Sequence, residues 1–265
     1  MRRRVTLLKR GIGIDFGTTN SAIAVAGSEG IRLASFPFME SIVETFRSVL
    51  FFENASERGL ARKPLAGPAA IERYLQPNDG GRLIQSLKSF AASRTFQHTQ
   101  IGGKQRTLEE LIGIFLKLLR TQAEEQLGPL GTHAIVGRPA QFVGAAAKED
   151  ESLALARLRK AFEIAGFTKI VFEYEPIGAS YSYAEQLQQH ELVLIADFGG
   201  GTSDFSLVNL SPGNHSPEII ATSGVPIGGD IFDARIVRHL VSPMLGLGTT
   251  YRSLKKCFPC RHRFS

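Results

Sequence analysis

The amino-acid sequence predicts an α/β fold with an internal duplication. Two observations carry this: strand-like and helix-like segments alternate through the middle of the chain, and one strand-turn-strand pattern occurs twice. The alternation is clearest after Thr107, which is followed three residues later by Glu110. Leu108, Leu111, Ile112, Phe115, Leu119 and Ala123 then recur at helical spacing until Gly128-Pro129. Cap, apolar stripe and stop all indicate one helix. A strand is expected at His133 to Gly137, then a helix from Lys148 to Ala165 with Leu155, Leu158, Phe162 and Ala165 inward and Gly166 as its stop. Lys169 to Phe172 reads as a short strand, Pro176 opens another helix, and Leu192 to Ala196 reads as a buried strand. Strands separated by helices imply a largely covered sheet.

The repeated pattern begins at residues 11–26, Gly-Ile-Gly-Ile-Asp15-Phe-Gly17-Thr-Thr-Asn-Ser-Ala-Ile-Ala-Val-Ala, two apolar strands around a small polar turn. It returns about 180 residues later as Asp197-Phe-Gly199-Gly200-Gly201-Thr202-Ser-Asp204-Phe-Ser-Leu-Val. Each copy places an acid at the end of a strand and glycine with threonine in the turn. The division is expected to be a basic N-terminal extension at 1–10, a first lobe at 11–189, part of a second lobe at 190–246 and an atypical basic tail at 247–265, with the lobe boundary near Gln188 to Glu191.

With 265 residues, 43% of them hydrophobic and 21% charged, the chain can bury a sizeable core. The formal charge of +6 points towards an anionic partner until its distribution is considered. Arg2, Arg3, Arg4, Lys9 and Arg10 crowd one end, and Arg252, Lys255, Lys256, Arg261 and Arg263 the other, with no acid in either stretch. Once those ten are set aside from the 31 Lys+Arg, 21 basic groups remain against 25 acidic ones, a balance of −4. The body therefore argues against nucleic-acid or membrane binding. Val5 to Leu8 is too short for a signal-peptide core, and the Arg-rich start leads almost directly into a motif instead of behaving as a transit peptide. No stretch approaches a membrane span, so a cytoplasmic protein is expected. The two cysteines, in Cys257-Phe-Pro-Cys260-Arg-His262, have no further thiol to complete a metal site and no strand-helix frame for a redox pair.

A glycine-rich turn lets backbone N–H groups approach phosphate oxygens with no Cβ in the way. Either turn alone is a weak signal, because Gly-Thr hairpins are common in proteins that bind nothing. Their pairing is more specific. Each follows a carboxylate, Asp15 or Asp197, and a triphosphate held between two turns needs acids to fix a hard divalent cation and its waters. A merely buried or capping Asp is the plain alternative for each.

Ile-Asp15-Phe-Gly-Thr-Thr-Asn-Ser-Ala resembles the first phosphate-binding motif of the seventy-kilodalton heat-shock (DnaK-type) chaperones, and Asp197-Phe-Gly-Gly-Gly-Thr-Ser-Asp204 their second. Glu173-Tyr-Glu175-Pro176-Ile-Gly-Ala is similar to their lobe-connecting segment, and Ser86-Leu-Lys88-Ser-Phe-Ala-Ala-Ser-Arg94, more loosely, to the segment around their catalytic lysine. Ile227-Gly-Gly-Asp230-Ile-Phe-Asp233-Ala-Arg235 resembles the Gly-Gly-Glu-Asp-Phe-Asp helix start of the second lobe, with Asp230 in place of Glu. The motifs run from about Gly11 to Val241 in the family's order, and the divergent spacers suggest a remote branch such as the YegD-like proteins.

The resemblance implies a duplicated actin-like (ribonuclease H-like) ATPase fold and an ATP-driven protein-folding activity. It also implies roles. Gly17, Thr18, Thr19 and Asn20 would hold phosphates from one side, and Gly199, Gly200, Gly201 and Thr202 from the other. Asp15 and Asp197 would hold Mg²⁺ mainly through water, with K⁺ as a further cation. Lys88 would meet the γ-phosphate and the attacking water, while Glu175 and Asp197 would orient that water. For Lys88 the plain alternative is a solvated helix lysine, with Gly81 taking its place in another register. For Glu175 it is a surface acid before a Pro-started helix. ATP and ADP are the implied ligands, with client proteins and co-chaperones as partners of a full-length relative. Sequence corresponding to most of the family's second lobe is absent, so weak nucleotide binding, ATP hydrolysis well below a family-like rate, and exposed Ile231, Ile236 and Val237 are expected. An actin- or MreB-like filament ATPase, a sugar kinase of the same superfamily and a non-functional fragment stay open as alternatives. The two turns are expected to face each other across one cleft.

Overall fold

The first strands already show which way the sheet faces. In β1 (Gly11–Phe16) Ile12, Ile14 and Phe16 are buried and the residues between them exposed, and in β2 (Asn20–Gly27) Ser21, Ile23 and Val25 follow suit. This is the period-two pattern of a sheet packed on one side, and it corrects the expectation of a largely covered sheet, because Gly11, Gly13 and Asp15 on the other face of β1 are exposed. The structure is a computed structural model that describes residues 11–54, 63–77, 80–212, 217–253 and 256–259. β3 (Gly30–Leu33) completes an antiparallel meander with β1 and β2. Further along the chain, α1 (Leu108–Leu127) is followed by β4 (His133–Arg138), α2 (Lys148–Ile164) and β5 (Lys169–Tyr174). β4 and β5 join β1 in parallel, giving the order β5-β4-β1-β2-β3.

The helices form where the sequence predicts. Thr107 Oγ1 accepts the N–H of Glu110 at 3.3 Å, and Glu110 Oε2 accepts that of Thr107 at 3.0 Å, so both halves of the capping box are made. Leu108, Leu111, Ile112, Phe115, Leu119 and Ala123 are all buried in one core with the inward residues of β1 and β2 and with Ala154, Leu158 and Phe162 of α2. Gly113 brings α1 close to the end of α2, since a Cβ there would stand 2.6 Å from Ile164 Cγ2. Gly166 stops the following chain at φ +92, a conformation that favours glycine.

α3 (Glu175–Ala184) then leads to a separate antiparallel sheet of β6 (Glu191–Phe198), β7 (Ser203–Leu210) and β8 (Glu218–Val225). β6 corrects one expectation. It is a strand, but Leu192 and Leu194 are 60% and 64% exposed. Val193, Ile195 and Asp197 lie on its half-covered side, so β6 is partly covered on one face and open on the other. α4 (Gly229–Ile236) follows, and Ile231 and Ile236 are exposed there, with Val237 half-buried. Beyond it, Thr250–Ser253 and Lys256–Pro259 pair as a hairpin in a stretch that shows no periodicity in sequence. Cys257 falls within that hairpin, whereas Cys260, His262 and the basic residues 1–10 lie outside the described residues.

Candidate functional site

Every predicted site residue lines one cleft, with a cavity of about 180 Å³. Asp15, Gly17, Thr18, Thr19 and Asn20 form one wall at the β1–β2 turn, Asp197 and Gly199 to Thr202 the opposite wall at the β6–β7 turn, and Lys88 and Glu175 the floor between them. The two turns touch. A Cβ on Gly200 would collide with Thr19, and one on Gly201 would lie 3.1 Å from Thr18 Oγ1. Gly17 is required by its own turn, where a Cβ would meet the carbonyl oxygen of Asn20.

Each wall is held from outside. Ser48, buried and not anticipated from sequence, donates its hydroxyl to Gly17 O at 2.8 Å and its backbone N–H to Thr19 O at 2.8 Å. Arg47 Nη1 donates to Asn20 Oδ1 at 3.1 Å. The second turn closes through Gly199 N–H to Thr202 O at 2.9 Å and then receives the start of α4, as Gly229 and Asp230 donate their N–H groups to Gly199 O and Gly200 O at 3.0 and 2.9 Å. Gly228 permits this, because a Cβ there would stand 2.6 Å from both carbonyl oxygens. The carboxylate of Asp230 reaches across and accepts hydroxyls from Ser86 at 2.8 Å and Thr19 at 3.4 Å.

Lys88 is no solvated helix lysine. It sits on a 3-10 turn, Leu87–Phe90, entered through Ser86 at φ +56, and only 7% of it is exposed. Its Nζ donates to Glu175 Oε1 at 2.6 Å. Glu175 is brought there as the first residue of α3, and Pro176, in the first turn of that helix, has no N–H to leave unpaired. Gly81, the rival position for Lys88, starts a strand paired with Val49–Glu53 and does not line the cleft.

Acid outnumbers base in this cleft. Asp15 has its carboxyl pushed up to about 6, first by burial, then by Glu175 and Asp197, with Lys88 opposing. Its surface is open to cleft water, yet it stands deep among protein atoms that exclude bulk solvent. Asp197 is raised by burial and by Glu175, again against Lys88. Asp204, quoted in the second motif but given no role in the sequence reading, is buried and raised mainly by burial, and its Oδ1 has no hydrogen-bond partner. The alternation of β7, which turns Asp204 to the same side as Ser206, was the available signal. Pro139, Phe142, Val143 and Phe198 also line the cleft, and none carried a sequence signal.

A family profile described as Hsp70 protein matches residues 82–245, more than half of the chain. The chain belongs to the Hsp70 family. The matched stretch of this Hsp70 chain includes Lys88, Glu175 and the second turn, while the first turn lies before it. Its sequence is also 30% identical over 234 residues to a protein named Chaperone protein HscA homolog from Rickettsia felis (strain ATCC VR-1525 / URRWXCal2), an alignment covering 86% of this chain and 34% of that one. The chain thus spans about a third of the length of that relative. Membership of the Hsp70 family carries nucleotide binding, with a divalent metal, as its general implication. Among the described residues no helix is long and apolar enough to cross a membrane.

Proposed function

We propose that the cleft binds the phosphates of ATP or ADP between its two turns, with Mg²⁺, and hydrolyses ATP, and that a protein containing this chain couples that cycle to the folding of client proteins with co-chaperones. The observation that carries the reading is the meeting of both glycine-threonine turns over the Lys88–Glu175 pair. The meander of β6, β7 and β8, whose first two strands are joined by the same kind of turn as β1 and β2, supports a duplicated actin-like fold with lobes at 11–189 and 190–246. The chaperone kinship favours a cytoplasmic site of action.

The donor set suits Mg²⁺. Asp15 and Asp197 line the cleft with hard oxygen donors, and their carboxyls, raised first by burial and then by Glu175, are groups that a cation would stabilise as carboxylates. Among the described residues no group of three or more His, Cys, Asp or Glu is placed to hold a metal ion. Asp15 and Asp197 would hold Mg²⁺, which when bound neutralises charge on the phosphates. The turns offer backbone N–H groups and the Thr18, Thr19 and Thr202 hydroxyls as donors. Lys88, held by its hydrogen bond to Glu175, stabilises negative charge at the γ-phosphate. Asp197 and Glu175 orient the attacking water and accept its proton.

Calorimetric titration with Mg–ATP, followed by single-turnover phosphate release, tests the proposal. Weak but saturable, Mg²⁺-dependent binding is expected, and Asp197→Asn should slow the phosphate release that the chain supports by about 10²-fold or more, because it removes charge while leaving the turn's backbone intact. Failure to bind Mg–ATP or ADP would sink the nucleotide reading, and unchanged release by Asp197→Asn would remove that residue from its role.

A further inference from the structure

We propose that Arg157 is the positioning residue that sets where Lys88 stands in the cleft, an inference that takes its catalytic meaning from the nucleotide reading and its structural meaning from geometry alone. The turn bearing Lys88 is short and is entered through a left-handed non-glycine residue, Ser86. Beyond Phe90 the chain runs to Phe96 with neither helix nor strand to hold it. Such a stretch needs other partners for its carbonyls.

One guanidinium supplies them. Arg157, on α2, donates from Nη1 to Ala91 O at 3.1 Å, Ser93 O at 2.7 Å and Phe90 O at 3.4 Å, and from Nη2 to Phe96 O at 2.8 Å. Its Nε forms an ion pair with Glu109 Oε1 at 3.2 Å, in the first turn of α1. The side chain is only 11% exposed. A planar fork serving several carbonyls fixes them relative to one another, which a lysine ammonium cannot do. Connectivity carries that order to the cleft. Arg157 holds the carbonyl of Ala91, the N–H of Ala91 donates to Lys88 O at 3.0 Å, and Lys88 Nζ donates to Glu175. A second clamp, the ion pair of Arg94 with Asp150 at the start of α2, ties the same loop to the same helix. The loop that aims Lys88 is therefore docked on α2, and Arg157 holds more of its carbonyls than any other described side chain.

Acetylation of lysines by an N-hydroxysuccinimide acetate ester, read by mass spectrometry on the whole chain, tests this without any assay of activity. Lys88 should label slowly in the unaltered chain and at least about tenfold faster in Arg157→Ala, through local opening of the loop, while Lys160 and Lys169 serve as references and stay unchanged. Arg157→Lys, which keeps charge and stem but not the fork, should fall between, and it decides the matter if Arg157→Ala does not fold. In parallel, single-turnover phosphate release should drop by about 10²-fold with Mg–ATP affinity altered less than about threefold. Wild-type rates of Lys88 acetylation in both variants would overturn the proposal. So would a rise at all lysines together with a matching loss of melting temperature, which would mean that Arg157 only supports the fold. If the unaltered chain binds no nucleotide, the nucleotide reading fails, yet the labelling still decides the positioning role.

Discussion

At the scale of single residues the cleft is an electrostatic compromise. Asp15 is raised to about 6 by burial and by Glu175 and Asp197, so its ionised form is disfavoured in the folded chain. The unfolded chain ionises this group near 3.8 and the folded chain near 6, so the folded state binds more protons between those values. Stability therefore falls as pH rises through that window and stays lowered above it. Asp15→Asn should raise the stability of the nucleotide-free chain at pH 7 by about 1 kcal/mol at most, since cleft water screens the charges. The gain should vanish below about pH 4. Thermal melts of both chains across pH measure it, and a destabilised Asp15→Asn chain at pH 7 would contradict the assignment. Asp15 itself was evident in the sequence at the end of a strand before a Gly-Thr turn, but its shift was not, because Lys88, Glu175 and Asp197 reach it only through the fold.

At the scale of elements, the pieces differ in how far they could be read beforehand. α1 was fully legible, from the Thr107–Glu110 box to Gly128, because a long amphipathic helix records its own partners in its periodicity. β6 was legible as a strand but not in its burial, since continuous apolar residues do not say whether a second layer covers them. The joint of α4 with the second turn was legible only as a motif. Its physical content is the contact of Gly228 with two turn carbonyls, at a separation that leaves no room for a methyl group. Gly228→Ala should push the second turn away from Thr19 and weaken Mg–ATP binding by about tenfold or more, since a shift near 1 Å misplaces donors. The melting temperature should change little, because Gly228 lies outside the main apolar core. Calorimetric titration checks this, and unaltered affinity would show that the turn tolerates displacement.

Across the whole molecule, apolar burial is uneven. The layer formed by β1 to β5 with α1 and α2 holds the main core, whereas the β6–β8 sheet and α4 leave Leu192, Leu194, Phe198, Ile220 and Phe232 exposed. Exposed apolar side chains of this kind bind dyes and favour association. A naphthalene-sulfonate dye should fluoresce with the folded chain at neutral pH, and Leu192→Thr with Leu194→Thr should reduce the signal without loss of helix content. Equal fluorescence from both chains would place the dye elsewhere. Sequence by itself determined the α/β class, the principal helices, the two acid-glycine-threonine turns and the membership they signalled, because each of these is written in neighbouring residues. Tertiary structure alone decided that the turns meet, that Lys88 is buried against Glu175, that Asp204 keeps an orphaned oxygen and that Arg157 holds the Lys88 loop. Those facts join residues up to about 180 positions apart, and such contacts are set by packing and by the need to pair buried polar groups, which leave no local period in the chain.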